Sequence, residues 1–581
     1  MPILRLALGQ TNPRLGDFSG NRAEMLAHVQ RAFSAGADLV AFPEMSLTGY
    51  PIEDLATRPG FLSLARIELN ELARDIEAVG AGSIPVIVGF PQGPVDAPNQ
   101  GSHAPTAIAH NSAAILLGGS VVGIYNKHHL PNYSVFDEYR IFRPGTESVM
   151  LHLADTDVAL AICEDIWQEG DPLAALEEVH PGLLLVLNGS PFERDKDEVR
   201  LPLVRRRALQ LNAPVAYLNL VGGQDDLVFD GDSLLVDASG AVLARSPQFR
   251  EHLLIADVEV APSRTRGNQP GHNVVVVEAG TGNPHRAHRD SLDADAIART
   301  EDDLEQIWNA LVLGLHDYVA KNSFPSVILG LSGGIDSAVC AAIAVDALGA
   351  ERVFGVSMPS VYSSDHSRSD ADDLATRLGI HMRTEPIAGL VSPVETQLEL
   401  TGVAAENLQA RIRGLILMGL SNAEGHLVLT TGNKTEIAVG YSTIYGDSVG
   451  GFAPIRDVPK TLVWELARWR NEHAAEQGLV APIPENSITK PPSAELRPDQ
   501  VDQDTLPEYD VLDNILELYI TQRHSRTEVI AAGYEEALVD RIISLVDRAE
   551  WKRRQGAIGP KISEVAFGRD RRLPVTFVPH K

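Results

Sequence analysis

The amino-acid sequence predicts two unrelated α/β domains on one chain. With 581 residues, the chain is longer than a single hydrophobic core usually serves. Short runs of Val, Ile and Leu alternate with helical stretches in the first 260 residues, and a second alternation begins near residue 301. The stretch between them is rich in Gly, Pro, Asn, Arg and His and has little periodicity. We therefore expect a first domain over 1–260, a linker over 261–300 and a second domain over 301–581.

The first domain contains apolar runs of strand length, each bounded by Gly, Pro, Asn or Asp. They cover residues 4–8, 39–42, 85–89, 113–117, 121–125, 158–162, 183–187 and 215–220. Because runs of this kind are typical of buried strands and alternate here with helices, they predict a layered α/β domain.

The second domain begins with a helix predicted over 304–319 and a strand predicted over 327–331. A helix over 336–348, a strand over 353–357 and a later strand over 427–430 continue the alternation. No internal repeat relates this half to the first. The two halves are therefore predicted to have different α/β folds.

Composition excludes several classes of protein. A net charge of -29 argues against a general nucleic-acid binder, because phosphate backbones recruit clustered Lys and Arg. The basic triplet at 205–207 is typical of a solvated helix face. The two cysteines, Cys163 and Cys340, cannot form a disulfide framework, so we expect a reducing cytoplasm. No uncharged apolar stretch approaches the ~20 residues of a membrane helix, so we expect no membrane partner.

Three reactive side chains follow predicted strands of the first domain. Glu44 comes after the run LVAF, Lys127 after VVGIY and Cys163 after VALAI. Because α/β sheets place ligands beyond the carboxyl ends of their strands, these groups can meet there. A thiol nucleophile, a carboxylate that moves protons and an ammonium that stabilises an oxyanion suit amide hydrolysis. Taken singly, a cysteine at a strand end is more often a small core residue, and a Glu or Lys there is more often a surface residue.

The local sequences around these residues resemble a known family. The strings AFPEMSLTGYP, YNKHHLPNY and CEDIW resemble the three signatures of the nitrilase superfamily, in the family's order. The longer string KHHLPNYSVFDEYRIFRPG resembles the glutaminase domains of NAD synthetases. The resemblance implies a nitrilase-like αββα sandwich in which Glu44, Lys127 and Cys163 are catalytic and Glu138 is a second acid. It also implies glutamine-binding roles for Tyr133, Ser190 and Lys196, although Ser190 equally fits a turn.

A glycine-rich loop, GLSGGIDSA, joins a predicted strand to a predicted helix in the second domain. Adjacent glycines let backbone amides approach a phosphate, and the helix start attracts the same anion. Asp336 is placed to hold Mg²⁺ on the phosphates. The loop lacks the ending of a Walker A motif, and SGGxDS is similar to the signature of N-type ATP pyrophosphatases. That resemblance implies a doubly wound parallel sheet and ATP contacts from Gly330, Leu331, Ser332, Gly333, Gly334, Ile335, Asp336 and Ser337.

Four further strings resemble the NAD synthetases. They are NLQARIRG, LTTGNKTEIAVGYSTIYGDSVGGFAPIRDVPKT, KPPSAELRPDQVDQDTLPEYD and RRLPVTFVPHK. The resemblance implies that Glu436 joins Asp336 at the Mg²⁺ site. It further implies ATP contacts from Thr431, Lys460 and Ser493, and contacts to the acid dinucleotide from Arg411, Glu436, Lys552, His580 and Lys581. The last two residues equally fit a solvated chain end.

The resemblance implies the last step of NAD synthesis. Glutamine would supply ammonia, and ATP with Mg²⁺ would activate nicotinic acid adenine dinucleotide as an adenylate, releasing pyrophosphate and then AMP. The family also implies a homo-oligomer. Three alternatives remain open. The first half could be an inactive scaffold, the chain could be another ATP-pyrophosphatase amidotransferase such as a GMP or asparagine synthetase, or it could be a non-catalytic dinucleotide-binding module.

Overall fold

The structure is a computed structural model that describes residues 2–95, 107–264, 267–269, 271, 273–284, 297–497 and 500–578. The chain divides into two compact units. Unit 1 consists of Met1–Gly222 and Phe229–Glu301, and unit 2 consists of Gly223–Val228 and Asp302–Lys581. In the described part of the chain, no helix is both long and apolar enough to cross a bilayer.

Up to residue 301 the chain is rich in strands. These are β1 (Ile3–Gln10), β2 (Leu39–Ala41), β3 (Val86–Gln92), β4 (His110–Leu117), β5 (Ser120–Asn126), β6 (Ser148–Leu153), β7 (Thr156–Ile162), β8 (Leu183–Asn188), β9 (Val215–Asn219), β10 (Val221–Gln224), β11 (Leu227–Asp230), β12 (Leu234–Val236), β13 (Val242–Arg245), β14 (His252–Glu259) and β15 (Val274–Glu278). The helices are α1 (Phe18–Ser34), α2 (Pro59–Ala78), α3 (Leu173–Val179) and α4 (Lys196–Leu211). Every strand predicted in this half falls on one of these strands.

Unit 1 is an αββα sandwich, as the resemblance implied. One sheet has the order β14-β1-β2-β3-β4-β5, and the other has the order β13-β12-β9-β8-β7-β6-β15. Their inner faces share one core, in which Leu6 of β1 and Leu160 of β7 are fully buried. Helices α1 and α2 cover the outer face of the first sheet, and α3 and α4 cover that of the second. Successive side chains of each strand point to opposite faces of its sheet, so they pack alternately between the two sheets and under the helices.

The predicted linker differs from what the structure describes. Within 261–300, Val274–Glu278 forms β15 and pairs in parallel with β6. Farther on, Asn283 Nδ2 donates to the backbone oxygen of Ala37 at 2.9 Å. Four consecutive valines favour a strand, but the surrounding Gly, Pro and Asn masked that signal. Residues 265, 266, 270, 272 and 285–296 of the predicted linker lie outside the described residues.

Unit 2 contains a small parallel sheet among many helices. The strands are β16 (Val327–Gly330), β17 (Val353–Ser357), β18 (His381–Thr384) and β19 (Leu427–Val428), in the order β18-β17-β16-β19. The helices are α5 (Asp303–Lys321), α6 (Ile335–Leu348), α7 (Asp365–Leu378), α8 (Ala388–Leu398), α9 (Val403–Glu424), α10 (Lys434–Val439), α11 (Lys460–Glu476), α12 (Glu485–Thr489), α13 (Tyr509–Leu516), α14 (Arg526–Ala531), α15 (Glu536–Arg548) and α16 (Glu550–Arg553).

The sheet of unit 2 has its strand order reversed at β16. The chain runs outward from β16 through β17 to β18 and then returns to the other side of β16 with β19. Ile328 and Val356 pack against α8 and α9, while α6 packs against β16 and β17. This is the doubly wound arrangement implied by the loop motif. In such sheets, ligands bind beyond the carboxyl ends of the strands where the order reverses.

Candidate active sites

Three charged side chains meet at one end of the unit 1 sandwich. Glu44 lies in the turn after β2, Lys127 directly follows β5, and Glu138 begins a short helical turn. Lys127 Nζ lies 2.8 Å from Glu44 Oε1 and 2.9 Å from Glu138 Oε2, and none of the three side chains is more than 3% exposed. The structure thus brings together the predicted carboxylate and ammonium with the predicted second acid.

The two carboxylates have further partners that the sequence did not single out. Asn111 Nδ2 donates to Glu44 Oε1 at 2.6 Å and to Glu138 Oε1 at 3.2 Å. The Tyr50 hydroxyl donates to Glu138 Oε1 at 3.0 Å, and the Gly189 amide donates to Glu44 Oε2 at 2.7 Å. Tyr50 stands in the quoted string AFPEMSLTGYP, which is a signal that could have identified it. Asn111 carries no comparable signal, because it comes from another strand.

Burial and mutual charge set the protonation of this cluster. Burial is the main cause that raises the pKa of Glu138 to about 7, and the charge of Glu44 adds to it while Lys127 opposes it. Burial disfavours the ammonium of Lys127, but Glu138 and Glu44 outweigh burial and raise the pKa of Lys127 well above its usual value. One proton on the two carboxylates would leave the buried cluster without net charge, which a low-dielectric site favours.

Cys163 lies at the end of β7, in the first position of a short helical turn, Cys163–Ile166. Its φ of 43° is in the left-handed region, which side chains other than glycine rarely adopt. The thiol is buried, and burial followed by the charge of Glu44 raises its pKa well above the usual value, with Lys127 opposing them. Glu44 and Lys127 therefore lie close enough to the thiol for their charges to act on it. In the free protein the group is therefore a neutral thiol that needs a base.

Arg207 supports the turn that carries Cys163. Its guanidinium donates to the backbone oxygen of Ile166 at 2.7 Å and to that of Gln168 at 2.7 Å, and the side chain is 1% exposed. The prediction that the basic triplet at 205–207 is a solvated face is therefore wrong for Arg207. The triplet alone could not reveal this, because the carbonyl groups that bind it come from a distant loop.

The three predicted glutamine-binding residues lie in different surroundings. The Tyr133 hydroxyl donates to Glu164 Oε2 at 2.8 Å, next in sequence to the thiol, and half of its side chain is exposed. Ser190 follows the glycine that binds Glu44 and is buried. Lys196 begins α4, where its ammonium lies 3.4 Å from Glu193 and over the ring of Trp167. Their roles toward glutamine stay predictions.

The glycine-rich loop of unit 2 leaves β16 and enters α6 as predicted. Gly333 has a φ of 76°, and a Cβ there would lie 2.4 Å from the backbone oxygen of Ser367. Only glycine fits this position. Ser337 Oγ donates to the backbone oxygen of Gly334 at 3.0 Å, so it closes the first turn of α6. The loop therefore presents backbone amides at the start of a helix, which is an anion-binding geometry.

Two carboxylates and one ammonium face one another beside this loop. Asp336 accepts a hydrogen bond from Asn433 Nδ2 at 2.9 Å and pairs with Lys460, whose Nζ also lies 3.7 Å from Glu436 Oε1. Burial, followed by the charge of Asp336, raises the pKa of Glu436 to about 8. A carboxyl that resists ionisation beside another carboxylate is suited to a divalent cation, because such an ion would neutralise both.

Asp336 and Glu436 would hold the metal ion as a pair of carboxylates. Over the described residues, His, Cys, Asp and Glu side chains form no group of three or more that could hold a metal ion. Two carboxylates with the remaining positions open to water and phosphate oxygens are what Mg²⁺ takes in nucleotide sites. Asp336 and Glu436 therefore fit the predicted ion.

A cavity of about 760 Å³ opens over the loop in unit 2. The predicted residues that line it are Gly330, Leu331, Ser332, Gly334, Ile335, Asp336, Ser337, Thr431, Glu436, Lys460, Ser493 and Lys552. Gly333 does not line the cavity, but its positive φ and its close approach to Ser367 determine the course of the loop. A volume of this size suits ligands with several ring and phosphate groups.

Arg411 and Arg413 differ in their relation to this cavity. Arg413 lines the cavity, and its Nε donates to the backbone oxygen of Met358 at 3.1 Å. Arg411, the predicted dinucleotide contact, is exposed and donates to the backbone oxygen of Ile444 at 3.2 Å. The two arginines are two residues apart on α9, so they point to different sides of that helix. The string NLQARIRG did not distinguish them.

The remaining predicted contacts come from the C-terminal part of the chain. Lys552 Nζ donates to the backbone oxygens of Gly440 and Ser442 at 2.8 and 2.7 Å, and burial lowers its pKa. Its ammonium is thereby held at the cavity wall. His580 and Lys581 lie outside the described residues.

Both halves of the chain match known protein families. A carbon-nitrogen hydrolase family model matches residues 5–265, and an NAD synthase family model matches residues 307–556. A curated relative from Acinetobacter baylyi, named glutamine-dependent NAD(+) synthetase, is 42% identical over 581 residues and covers 99% of this chain and 98% of its own. A relative of the same name from Thermotoga maritima is also 42% identical, with 99% of each chain covered.

A solved structure agrees with these relatives. It is the glutamine-dependent NAD+ synthetase from Acinetobacter baumannii in complex with adenosine diphosphate, with 38% identity and a TM-score of 0.71. The match covers 99% of this chain and 98% of that one.

Proposed function

This chain belongs to the family of glutamine-dependent NAD(+) synthetases, and we propose that it amidates nicotinic acid adenine dinucleotide to NAD with nitrogen from glutamine. It is an ATP-dependent carbon-nitrogen ligase with a nitrilase-type glutaminase unit. The observation that carries this proposal is the buried set of Glu44, Lys127 and Glu138 around the Cys163 thiol, because it argues against an inactive scaffold.

In the glutaminase reaction, Cys163 Sγ attacks the amide carbon of glutamine and its proton passes to Glu44. Coupling the proton transfer to the attack is necessary because the raised pKa of Cys163 keeps the group as a thiol. Lys127 stabilises the oxyanion, and Glu44 returns the proton to the leaving nitrogen, so a thioester forms and ammonia leaves. Water, activated by Glu44, then hydrolyses the thioester to glutamate and restores the thiol.

Three side chains of unit 1 would hold the substrate. We assign Tyr133, Ser190 and Lys196 to glutamine, with Tyr133 and Ser190 supported by their nearness to Glu164 and Gly189. Glu138, held by Tyr50 and Lys127, keeps the ammonium in place and adjusts the charge of the site. It is a positioning residue in this scheme.

In the synthetase reaction, the ATP phosphates lie on the loop 330–337 at the start of α6, with Thr431, Lys460 and Ser493 completing the nucleotide site. Mg²⁺ held by Asp336 and Glu436 would supply the positive charge that lets one anion attack another. Lys460 adds a fixed positive charge next to both carboxylates.

The acid dinucleotide occupies the rest of the cavity. We assign Arg411, Glu436, Lys552, His580 and Lys581 to it. Arg413 is a further candidate, because its guanidinium lines the cavity. The substrate carboxylate attacks the α-phosphorus of ATP and pyrophosphate leaves. Ammonia then attacks the activated carbonyl carbon and AMP leaves, giving NAD.

Three expectations remain proposals. They are the domain limits 1–260, 261–300 and 301–581, assembly as a homo-oligomer, and a cytoplasmic location. The segment 261–300 is more than a linker, because Val274–Glu278 within it forms β15 of the unit 1 sheet. Sedimentation of the purified chain would decide the oligomeric state.

The experiment that tests the function is product analysis by mass spectrometry. The chain is incubated with ATP, Mg²⁺, the acid dinucleotide and glutamine labelled with ¹⁵N in its amide. We expect labelled NAD, with AMP and pyrophosphate formed in equal amounts. Formation of ADP instead of AMP, or absence of labelled NAD, would reject the proposal.

Asp336→Ala is the informative variant for the synthetase half. It should abolish NAD formation from glutamine and from added ammonia while glutamine hydrolysis continues, because Asp336 belongs to unit 2. Asp346→Ala is the matched control, since Asp346 lies at the other end of α6 and pairs there with Trp308 and Arg470. NAD synthesis by Asp336→Ala at a rate near that of the control would contradict the assignment.

A further inference from the structure

One buried carboxylate near the thiol has no part in the chemistry above. Asp165 lies two residues after Cys163 and is completely buried. Its Oδ2 accepts hydrogen bonds from the Tyr125 hydroxyl at 2.6 Å and from the Ile162 amide at 2.9 Å. Its Oδ1 accepts from the amides of His128 and His129 at 3.0 and 2.9 Å. The carboxylate therefore has four donors, shared equally between its two oxygens.

These donors come from both sheets of unit 1. Tyr125 lies in β5 of the first sheet, and His128 and His129 follow the same strand, so they bracket Lys127. Ile162 is the last residue of β7 in the second sheet and directly precedes Cys163. A single side chain thus joins the strand end that carries the ammonium to the strand end that carries the thiol.

We propose that Asp165 is a positioning residue that fixes the approach of the Cys163 thiol to the Lys127 ammonium. The inference rests on the proposed glutaminase function and deepens it. Asp165 contacts neither substrate nor reacting atoms in this scheme, so it acts through the two residues that do. Its effect should appear in the rate of the chemical step rather than in the binding of glutamine.

The chemistry of the carboxylate explains why another residue would not serve. An Asn side chain has nearly the same shape, but its NH₂ group cannot accept a hydrogen bond. In Asp165→Asn, at least one pair of donors would face another donor in a buried site. The strand ends would then move apart or lose their amide partners. A shift of about 1 Å in reacting groups can lower a rate by about a hundredfold.

The test compares glutamine hydrolysis by the full chain and by three variants. Asp165→Asn replaces one acceptor oxygen with a donor. Tyr125→Phe removes one donor and leaves the three hydrogen bonds from backbone amides to Asp165. Asp157→Asn is the matched control, because Asp157 is a buried carboxylate near the other end of β7 that binds His152 and Ser263. For each protein, kcat and KM for glutamine, NAD synthesis with added ammonia and the thermal midpoint are measured.

We expect kcat for glutamine to fall about tenfold to a hundredfold in Asp165→Asn. Its KM should stay within about threefold, because the lost interaction concerns the transition state. Tyr125→Phe should show a smaller fall in kcat with the same unchanged KM, and it decides the question if Asp165→Asn does not fold. Asp157→Asn should keep kcat even if its thermal midpoint falls. All three variants should keep ammonia-driven synthesis.

Three results would overturn the inference. One is a kcat near that of the unmodified chain in both Asp165→Asn and Tyr125→Phe. Another is an increase in KM with kcat preserved, and the third is an equal loss of kcat in Asp157→Asn. If the unmodified chain fails to hydrolyse glutamine, the proposed function fails instead, so the two failures can be told apart.

Discussion

At the scale of single residues, the glutaminase site of unit 1 consists of buried charged side chains whose charges nearly cancel. Glu44, Lys127 and Glu138 are each at most 3% exposed, and Lys127 forms an ion pair with both carboxylates. A buried group without compensation would cost several kcal/mol, so the protonation of the cluster follows its net charge. The same charges act on the Cys163 thiol, which links the ionisation of the cluster to the reactivity of the nucleophile.

The first prediction concerns the proton on Glu138. Its pKa is about 7 in the folded chain and about 4.5 for the free side chain. Between these two values the folded state holds the proton and the unfolded state does not, so stability falls as pH rises from about 4.5 to about 7. The decrease should be on the order of 3 kcal/mol and should level off above the folded pKa.

The measurement is the thermal midpoint of the unmodified chain relative to Glu138→Gln as a function of pH. Glutamine has no proton to lose at this position, so the difference isolates the carboxyl group. The infrared band of a protonated carboxyl should persist at low pH and disappear around pH 7 in the unmodified chain, because the folded state holds the proton up to its own pKa, and the band should be missing in the variant. A difference in midpoint that does not change with pH would refute the raised pKa.

The second prediction concerns Cys163→Ala. Without the thiol no thioester can form, so glutamine-driven NAD synthesis should fall close to zero. Synthesis with ammonia at high concentration and high pH should be largely kept, because the loop 330–337 and its carboxylates belong to unit 2. NAD is measured with each nitrogen source in parallel.

Cys340→Ala is the control for this variant, since Cys340 is the other buried thiol and lies in α6. It should keep the use of glutamine. Continued use of glutamine by Cys163→Ala would show that another group is the nucleophile.

At the scale of elements, both sites lie where a strand ends and a turn or a helix begins. Cys163 directly follows β7, Lys127 directly follows β5, and Asp336 is the second residue of α6. The sequence could predict these positions because a short apolar run has a clear end, and the next polar residue lies at the edge of the sheet. It could not predict Asn111 or Arg207, whose partners come from other strands and loops. Such long-range contacts leave no local pattern.

The third prediction concerns the turn between β16 and α6. In Gly333→Ala the new Cβ would meet the backbone oxygen of Ser367 at 2.4 Å, and the residue would keep a positive φ. The loop must shift, so the KM for ATP should rise about tenfold or more as phosphate contacts are lost. Glutamine hydrolysis should continue.

Gly389→Ala is the matched control for this change. Gly389 lies in α8, and a Cβ there meets no atom within 4 Å. That variant should bind ATP as the unmodified chain does, and initial rates over a range of ATP concentrations compare the two. An unchanged KM for ATP in Gly333→Ala would mean that the loop does not hold the phosphates.

At the scale of the whole molecule, each unit has a core of its own. The sandwich of unit 1 buries its apolar residues between two sheets and under four helices, and unit 2 buries Ile328 and Val356 under α8 and α9. The sequence predicted two different α/β domains from the change of composition after residue 260, and the limits of those domains stay predictions. It did not predict that Val274–Glu278 belongs to the sheet of unit 1, because one strand's pairing depends on a partner more than a hundred residues away.

The fourth prediction follows from this division. A ligand that binds the folded state of one unit stabilises that unit by mass action. ATP with Mg²⁺, without the acid dinucleotide and at about a hundred times its dissociation constant, should add about 2.7 kcal/mol to the stability of unit 2. Differential scanning calorimetry should show the corresponding transition raised by several degrees. At the same ligand concentration, binding that is tenfold weaker would leave about 1.4 kcal/mol, so the gain should fall by about half or more in Gly333→Ala and be kept in Gly389→Ala. An equal gain in both variants would contradict the assigned site.

The left-handed backbone at Cys163 sets the demands of catalysis against those of folding. Glycine adopts a φ of 43° without strain, whereas other residues pay about 1–2 kcal/mol for it. Selection for stability alone would therefore favour glycine in place of Cys163, and the thiol would be lost. We expect Cys163→Gly to melt at a higher temperature than Cys163→Ala, although both lack the nucleophile. Cysteine therefore occupies a backbone conformation that destabilises the fold. After random mutation and selection for heat resistance, variants should lose the thiol at this position and with it the hydrolysis of glutamine.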